Sequence, residues 1–73
     1  MKKYAVVVES GPNNFTAYVP DLPGCITTGK TLEEISHNMR EAIALHLEGI
    51  AEDGGTIPEP STLALEIEIP FAA

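Results

Sequence analysis

Tyr18-Val-Pro-Asp-Leu-Pro-Gly-Cys25, followed closely by Thr31-Leu-Glu-Glu34, is the stretch that decides the fold of this chain. Pro20 has no backbone N–H to donate to a sheet, so it ends the strand predicted over residues 15–19. Pro23 and Gly24 suit the central positions of a type II turn, because proline presets the first φ angle and glycine accepts a positive second one. The stretch therefore predicts a strand, a tight turn and a short strand over residues 25–28.

A helix is predicted from Thr31 to about Glu52. Thr31 and Glu34 have the spacing of a capping box, in which each side chain accepts the other residue's backbone N–H. Asp53-Gly54-Gly55 supplies the end, since glycine adopts the left-handed conformation without penalty. One helix face is apolar at 3.6-residue spacing and consists of Leu32, Ile35, Met39, Ala42, Ile43, His46, Leu47 and Ile50.

Two further strands flank this unit. Residues 4–8 are β-rich and almost entirely apolar, which predicts a strand covered on both faces. The turn cluster at residues 11–14 joins it to the next strand as a hairpin. Apolar residues alternate with Ala or Glu over residues 63–69, which predicts a last strand with one buried face. We therefore expect one α+β domain over residues 1–73, a small antiparallel sheet with one covering helix in the order β-β-β-α-β.

Composition limits the classes of function. The chain has 73 residues and a formal charge of −7, which makes it a poor ligand for nucleic acid and a better one for a basic partner. Met1-Lys-Lys precedes an apolar run that is too short for a signal peptide, and no stretch reaches the ~20 apolar residues of a membrane span. We expect a cytoplasmic protein with no membrane contact. Because so small a core is marginal and one cysteine forms no internal disulfide, we also expect a homodimer or homotetramer.

Three residues with potential chemistry have simpler interpretations. Asp21 has no second acid nearby in sequence, so a turn residue bonded to neighbouring backbone N–H groups is favoured over a metal ligand or general base. Cys25 has no base beside it and fits a short strand as a small apolar filler. His46 lies on the apolar helix face, where a half-buried histidine bonded to a carbonyl is favoured. We expect no catalytic residue, no metal and no cofactor.

The opposite face of the helix is acidic. It carries Glu34, Glu41, Glu48 and Glu52, and Leu45 lies near them, out of place on a solvated surface. The face is either a solubilising surface or a docking surface for a basic, RNA-binding protein, and charge patterning alone leaves both interpretations open.

The chain resembles the HicB family of bacterial and archaeal antitoxins over about two thirds of its length. The matching residues are Pro20, Asp21, Leu22, Pro23, Gly24, Cys25, Thr28, Gly29, Thr31, Leu32, Glu33, Glu34, Asn38, Glu41, Ala42 and His46. The resemblance implies a partial ribonuclease-H-like fold and a binding protein rather than an enzyme. Its implied partner is a HicA toxin, an mRNA-cleaving ribonuclease with a double-stranded-RNA-binding-like fold, whose active site the antitoxin blocks. The candidate toxin-binding residues are Glu34, Glu41, Leu45, Glu48, Glu52 and Asp21.

The chain departs from that family in one respect. Many members carry a C-terminal helix-turn-helix or ribbon-helix-helix segment that binds operator DNA, whereas only four residues follow Ile69 here. We therefore expect no direct binding of nucleic acid. The alternative function is an orphan HicB-like module that oligomerises without a toxin, and a hydrolase with ribonuclease-H-like chemistry ranks far below both.

Overall fold

The computed structural model describes residues 1–71 and contains three strands followed by one helix. The elements are β1 (Val7–Ser10), β2 (Phe15–Tyr18), β3 (Ile26–Gly29) and α1 (Leu32–Glu52). The strands form one antiparallel sheet in the order β1-β2-β3. The predicted class, a small antiparallel sheet with one helix, is confirmed.

The loop between β2 and β3 consists of two successive turns, each with proline at its second position. The N–H of Leu22 donates to the carbonyl of Val19 at 3.1 Å, and the N–H of Cys25 donates to the carbonyl of Leu22 at 3.0 Å. Gly24 has a φ of 86°, as the predicted type II turn requires. The N–H of Val19 donates to the carbonyl of Cys25 and closes the loop. The double turn thereby directs Leu22 into the core, where it is fully buried.

The start of α1 is capped almost as predicted. The Oγ1 atom of Thr31 accepts from the N–H of Glu34 at 3.1 Å. The Glu34 carboxylate accepts from the N–H of Lys30 at 2.9 Å, one residue earlier than a strict capping box would place it. Gly29 precedes this cap, and a Cβ atom on it would lie 3.1 Å from the backbone nitrogen of Ile35. Glycine therefore lets β3 pass close to the first turn of the helix.

The core lies between one face of the sheet and one face of α1, which packs against β2 and β3. Its buried side chains are Ala17, Val19, Leu22, Cys25, Ile35 and Met39. Two of these six come from the helix and four come from the β2–β3 region. The sequence that joins the second and third strands therefore supplies most of the core.

The first strand differs from the prediction. It spans Val7–Ser10 rather than residues 4–8, and most of it is exposed instead of covered on both faces. The hairpin closes through a hydrogen bond from the N–H of Gly11 to the carbonyl of Asn14, which sets the pairing of Val8 with Ala17. Because α1 lies over the other two strands, it leaves this edge strand uncovered.

The predicted last strand over residues 63–69 is wrong for the described chain. This segment pairs with no strand of residues 1–71, and a β-strand requires a partner for its backbone groups. The connector before it is fixed, since the Tyr4 hydroxyl donates to the carbonyl of Pro58 at 2.6 Å and Lys2 forms an ion pair with Glu59. Beyond Thr62 every described residue is exposed.

The sheet face opposite α1 carries an apolar row. Val7 pairs with Tyr18, which pairs with Ile26, so the three side chains lie side by side on that face. Tyr18 and Ile26 are 40% and 61% exposed. One helix covers only one face of a small sheet, so this row stays uncovered by any residue of 1–71.

Candidate partner-binding surface

Four of the five glutamates of α1 form a single acidic stripe. Successive members are separated by seven, seven and four residues, which brings them to one side of a helix with 3.6 residues per turn. The acidic stripe consists of Glu34, Glu41, Glu48 and Glu52, all of them exposed. It faces away from Ile35 and Met39, the buried residues of the helix. The predicted separation of an apolar and an acidic face is therefore confirmed.

Leu45 interrupts the acidic stripe with an apolar side chain. It is four residues from Glu41 and three from Glu48, which makes all three neighbours on the helix surface. Leu45 is 69% exposed and belongs to no part of the core. A single exposed leucine is ordinary, but this one adds an apolar contact in the middle of an otherwise charged surface.

The stripe has two electrostatically different halves. Glu34 caps the helix start and Glu41 lies 3.0 Å from the Nε2 atom of His37, so the first half already has partners. Glu48 and Glu52 form no ion pair with another described residue, and the last turn of α1 contains no basic side chain. Negative charge at a helix C-terminus opposes the helix dipole, so positive charge brought by a partner would relieve this end most.

Asp21, the sixth candidate, is engaged within the chain. Its carboxylate accepts from the backbone N–H groups of Ser61 and Thr62 at 2.9 and 3.0 Å, and from both of their hydroxyls. The predicted type of bond is right, but the donors lie forty residues away rather than in the same turn. No local signal in the sequence marks Ser61 or Thr62 as its partners. We call this arrangement the Asp21 clamp; it fixes the start of the C-terminal segment to the loop.

The Asp21 clamp should be visible in its titration. Hydrogen bonds from Thr62 and Ser61 to the charged form lower the pKa of Asp21 from 3.8 to about 2. Because the folded-state pKa is the lower one, the clamp's contribution is complete above pH 4 and is lost as the pH falls toward 2. We predict that the Ser61→Ala, Thr62→Val double variant raises this pKa toward 3.8 in an NMR titration.

Thr56→Val is the matched control for that titration, since Thr56 is an exposed threonine of the same connector outside the clamp. It should leave the Asp21 pKa near 2. An Asp21 carboxyl that titrates alike in wild type and double variant would mean that the two hydroxyl hydrogen bonds of the clamp are not formed in solution.

The remaining residues with potential chemistry are not assembled into a reactive group. Cys25 is buried, and its desolvation raises the pKa of the thiol, which disfavours the nucleophilic thiolate. His46 is half-buried as predicted, but the predicted bond to a carbonyl is not among the hydrogen bonds of residues 1–71. His37 is exposed beside Glu41. Within the described residues, no three His, Cys, Asp or Glu side chains are close enough to hold a metal ion.

Comparison with known families gives a match over nearly the whole chain. A family described as the HicB-like antitoxin of the bacterial toxin-antitoxin system matches residues 4–70. The matched range includes the double turn, α1, the acidic stripe and the C-terminal segment. Over residues 1–71, α1 does not have the length of apolar sequence that crossing a bilayer needs.

Individual relatives cover most of the chain. An uncharacterized 14.9 kDa protein of Haemophilus phage HP1 is 36% identical over 92% of this chain, and the chain spans half the length of that relative. A UPF0150 protein of Helicobacter pylori is 37% identical, with 90% of this chain and 93% of the relative covered. A UPF0150 protein of Archaeoglobus fulgidus is 43% identical over 63% of this chain and 68% of its own length.

Proposed function

The chain belongs to the HicB-like antitoxin family, and on that premise we propose that it neutralises a small, basic, mRNA-cleaving toxin of the HicA type. Neutralisation occurs by direct binding that occludes the toxin's active site. The observation that carries the proposal is the acidic stripe with Leu45 at its centre. The chain that presents it matches the antitoxin family over residues 4–70, which include all three strands and α1.

Charge supports this choice of partner. A protein that binds and cleaves RNA needs a basic surface to hold the phosphates, and this chain has 11 acidic and 4 basic residues. Opposite net charges accelerate encounter and favour this partner over acidic competitors. The same charge opposes contact with RNA or DNA, so we propose that the toxin, and not the nucleic acid, is what this chain binds.

The dimensions of the acidic stripe suit an RNA-binding surface. From Glu34 to Glu52 the helix rises about 27 Å at 1.5 Å per residue, which is comparable to the width of a small domain. In the complex, the half of the stripe that forms no ion pair among residues 1–71, Glu48 and Glu52, meets the most basic part of the toxin. Leu45 is buried against the toxin and adds an apolar contact to the charged ones. The proposed complex places the toxin's cleavage site against the helix, out of reach of mRNA in the cytoplasm.

An orphan interaction module without a toxin is the second candidate. The observation that favours it is the row of Val7, Tyr18 and Ile26 on the open sheet face, an apolar surface that a second copy of the chain could cover without any other protein. In that case the acidic stripe is solvated surface that keeps the assembly soluble.

Co-expression separates the two candidates. If the reading frame beside this gene encodes a short basic protein that is the toxin, that protein should arrest growth when expressed alone, be tolerated when this chain is co-expressed, and co-purify with it. The Thr56→Val variant, changed at an exposed connector residue, serves as a folded control that leaves the acidic stripe and the Asp21 clamp unchanged. Failure of any neighbouring basic protein to bind would support the orphan module and count against the antitoxin.

A further inference from the structure

The C-terminal segment has the residue alternation of a strand but pairs with no strand of residues 1–71. We call residues 63–69 the arm; Leu63, Leu65, Ile67 and Ile69 occupy one face of it, and Ala64, Glu66 and Glu68 occupy the other. Leu65 is 82% exposed, and none of its apolar neighbours on that face is less than 72% exposed. Such alternation is typical of a strand that covers something with its apolar face.

A matching surface lies beside β1. Because α1 does not reach that strand, a groove of about 500 Å³ opens between the strand and the helix. Apolar side chains line most of it, namely Val6 and Val8 on one wall and Leu32, Ile35, Met39 and Ile43 on the other. Lys3 and Arg40 also border it. Among residues 1–71, β1 pairs only with β2, so its outer edge retains unpaired backbone groups.

We propose that the arm of one copy adds as a fourth strand to the free edge of β1 in a second copy, with its apolar face in the groove. The two segments have equal lengths, since residues 4–10 and 63–69 both span about 23 Å when extended. The charges of the groove and the arm are also opposite, because two of the chain's four basic side chains border the groove and the arm carries two glutamates. The chain's own arm lies in solvent beyond the Asp21 clamp rather than in its own groove.

The exchange is reciprocal and closed. Each copy gives one arm and receives one, so a two-fold dimer pairs both edges and leaves no free arm. The arm then forms the last strand that the sequence pattern predicts, but it forms this strand in the sheet of the other copy. This inference does not depend on the toxin and concerns a different surface from the acidic stripe.

Neighbouring residues on opposite faces of the arm provide a matched test of the mass in solution. Leu65→Asp places a charge on the face that enters the groove, whereas Ala64→Asp places the same charge on the outer face. By sedimentation equilibrium at micromolar concentration, wild type and Ala64→Asp should have twice the 7.8 kDa chain mass, and Leu65→Asp should have the single mass. A single mass for wild type, or a doubled mass for Leu65→Asp, would overturn the proposal.

Disulfide trapping locates the arm. In a Cys25→Ala background, a tagged copy with Leu65→Cys is mixed with an untagged copy with Val8→Cys in the groove, and the pair is oxidised. We expect a cross-link between the two copies, and none when Tyr18→Cys on the open sheet face replaces Val8→Cys. Preferential cross-linking to Tyr18→Cys would show that the arm covers the open face instead, and would contradict the groove.

Discussion

Replacement of Leu22 by alanine is expected to lower the free energy of unfolding by about 2–5 kcal/mol. Leu22 is fully buried between the two turns of the loop, and it contacts the core that β2, β3 and α1 share. A domain of this size has a total stability of only about 5 kcal/mol, so the variant should retain about 0–3 kcal/mol and unfold at a much lower denaturant concentration than the wild type. Chemical denaturation at one fixed protein concentration measures the effect.

Leu45→Ala is the matched control, because it removes the same atoms from a side chain that is 69% exposed. Alanine is a good helix former, so the free energy of unfolding should change by less than about 0.5 kcal/mol. Equal losses for the two variants would mean that the double turn does not direct Leu22 into the core.

The second large effect is expected for toxin association. Replacing Glu41 and Glu48 with lysine changes the formal charge from −7 to −3, because each replacement removes one negative charge and adds one positive charge. Both residues are exposed and lie outside the core, so the fold should be unaffected. We predict an association rate about tenfold lower at low salt and a weaker dependence of that rate on salt. Stopped-flow binding at two ionic strengths measures both.

A second double variant, Glu9→Lys with Glu59→Lys, has the same net charge, and both of its exposed positions lie outside the helix that carries the acidic stripe. It should retain most of the wild-type association rate, whereas Leu45→Ala should chiefly accelerate dissociation. If the stripe reversal and this control slow association equally, only net charge matters and the toxin docks elsewhere, for instance on the edge of the sheet.

Local signals predicted most of the fold. Thr31 and Glu34 are three residues apart, so the chemistry that starts the helix is contained in one turn and needs no tertiary context. The same holds for Pro23 and Gly24, whose backbone preferences specify their turn without regard to the rest of the chain. The positions of the acidic stripe followed from helical periodicity alone.

Long-range contacts account for the features that the sequence did not reveal. The pattern of residues 63–69 predicted a strand, but whether a strand forms depends on a partner edge, which no local pattern specifies. Asp21 resembled an ordinary turn residue because its donors, Ser61 and Thr62, are forty residues away. Apolar composition placed the first strand at residues 4–8, whereas the hairpin pairing places it at Val7–Ser10.

The most direct test of the central claim is RNA cleavage by the purified toxin, titrated with this chain. We predict that cleavage falls to zero at a stoichiometric ratio of the folded chain, and that the Glu41→Lys, Glu48→Lys variant needs an excess at low salt. The chain alone should leave the RNA intact. A toxin that cleaves at its full rate while saturated with this chain would contradict occlusion of the active site.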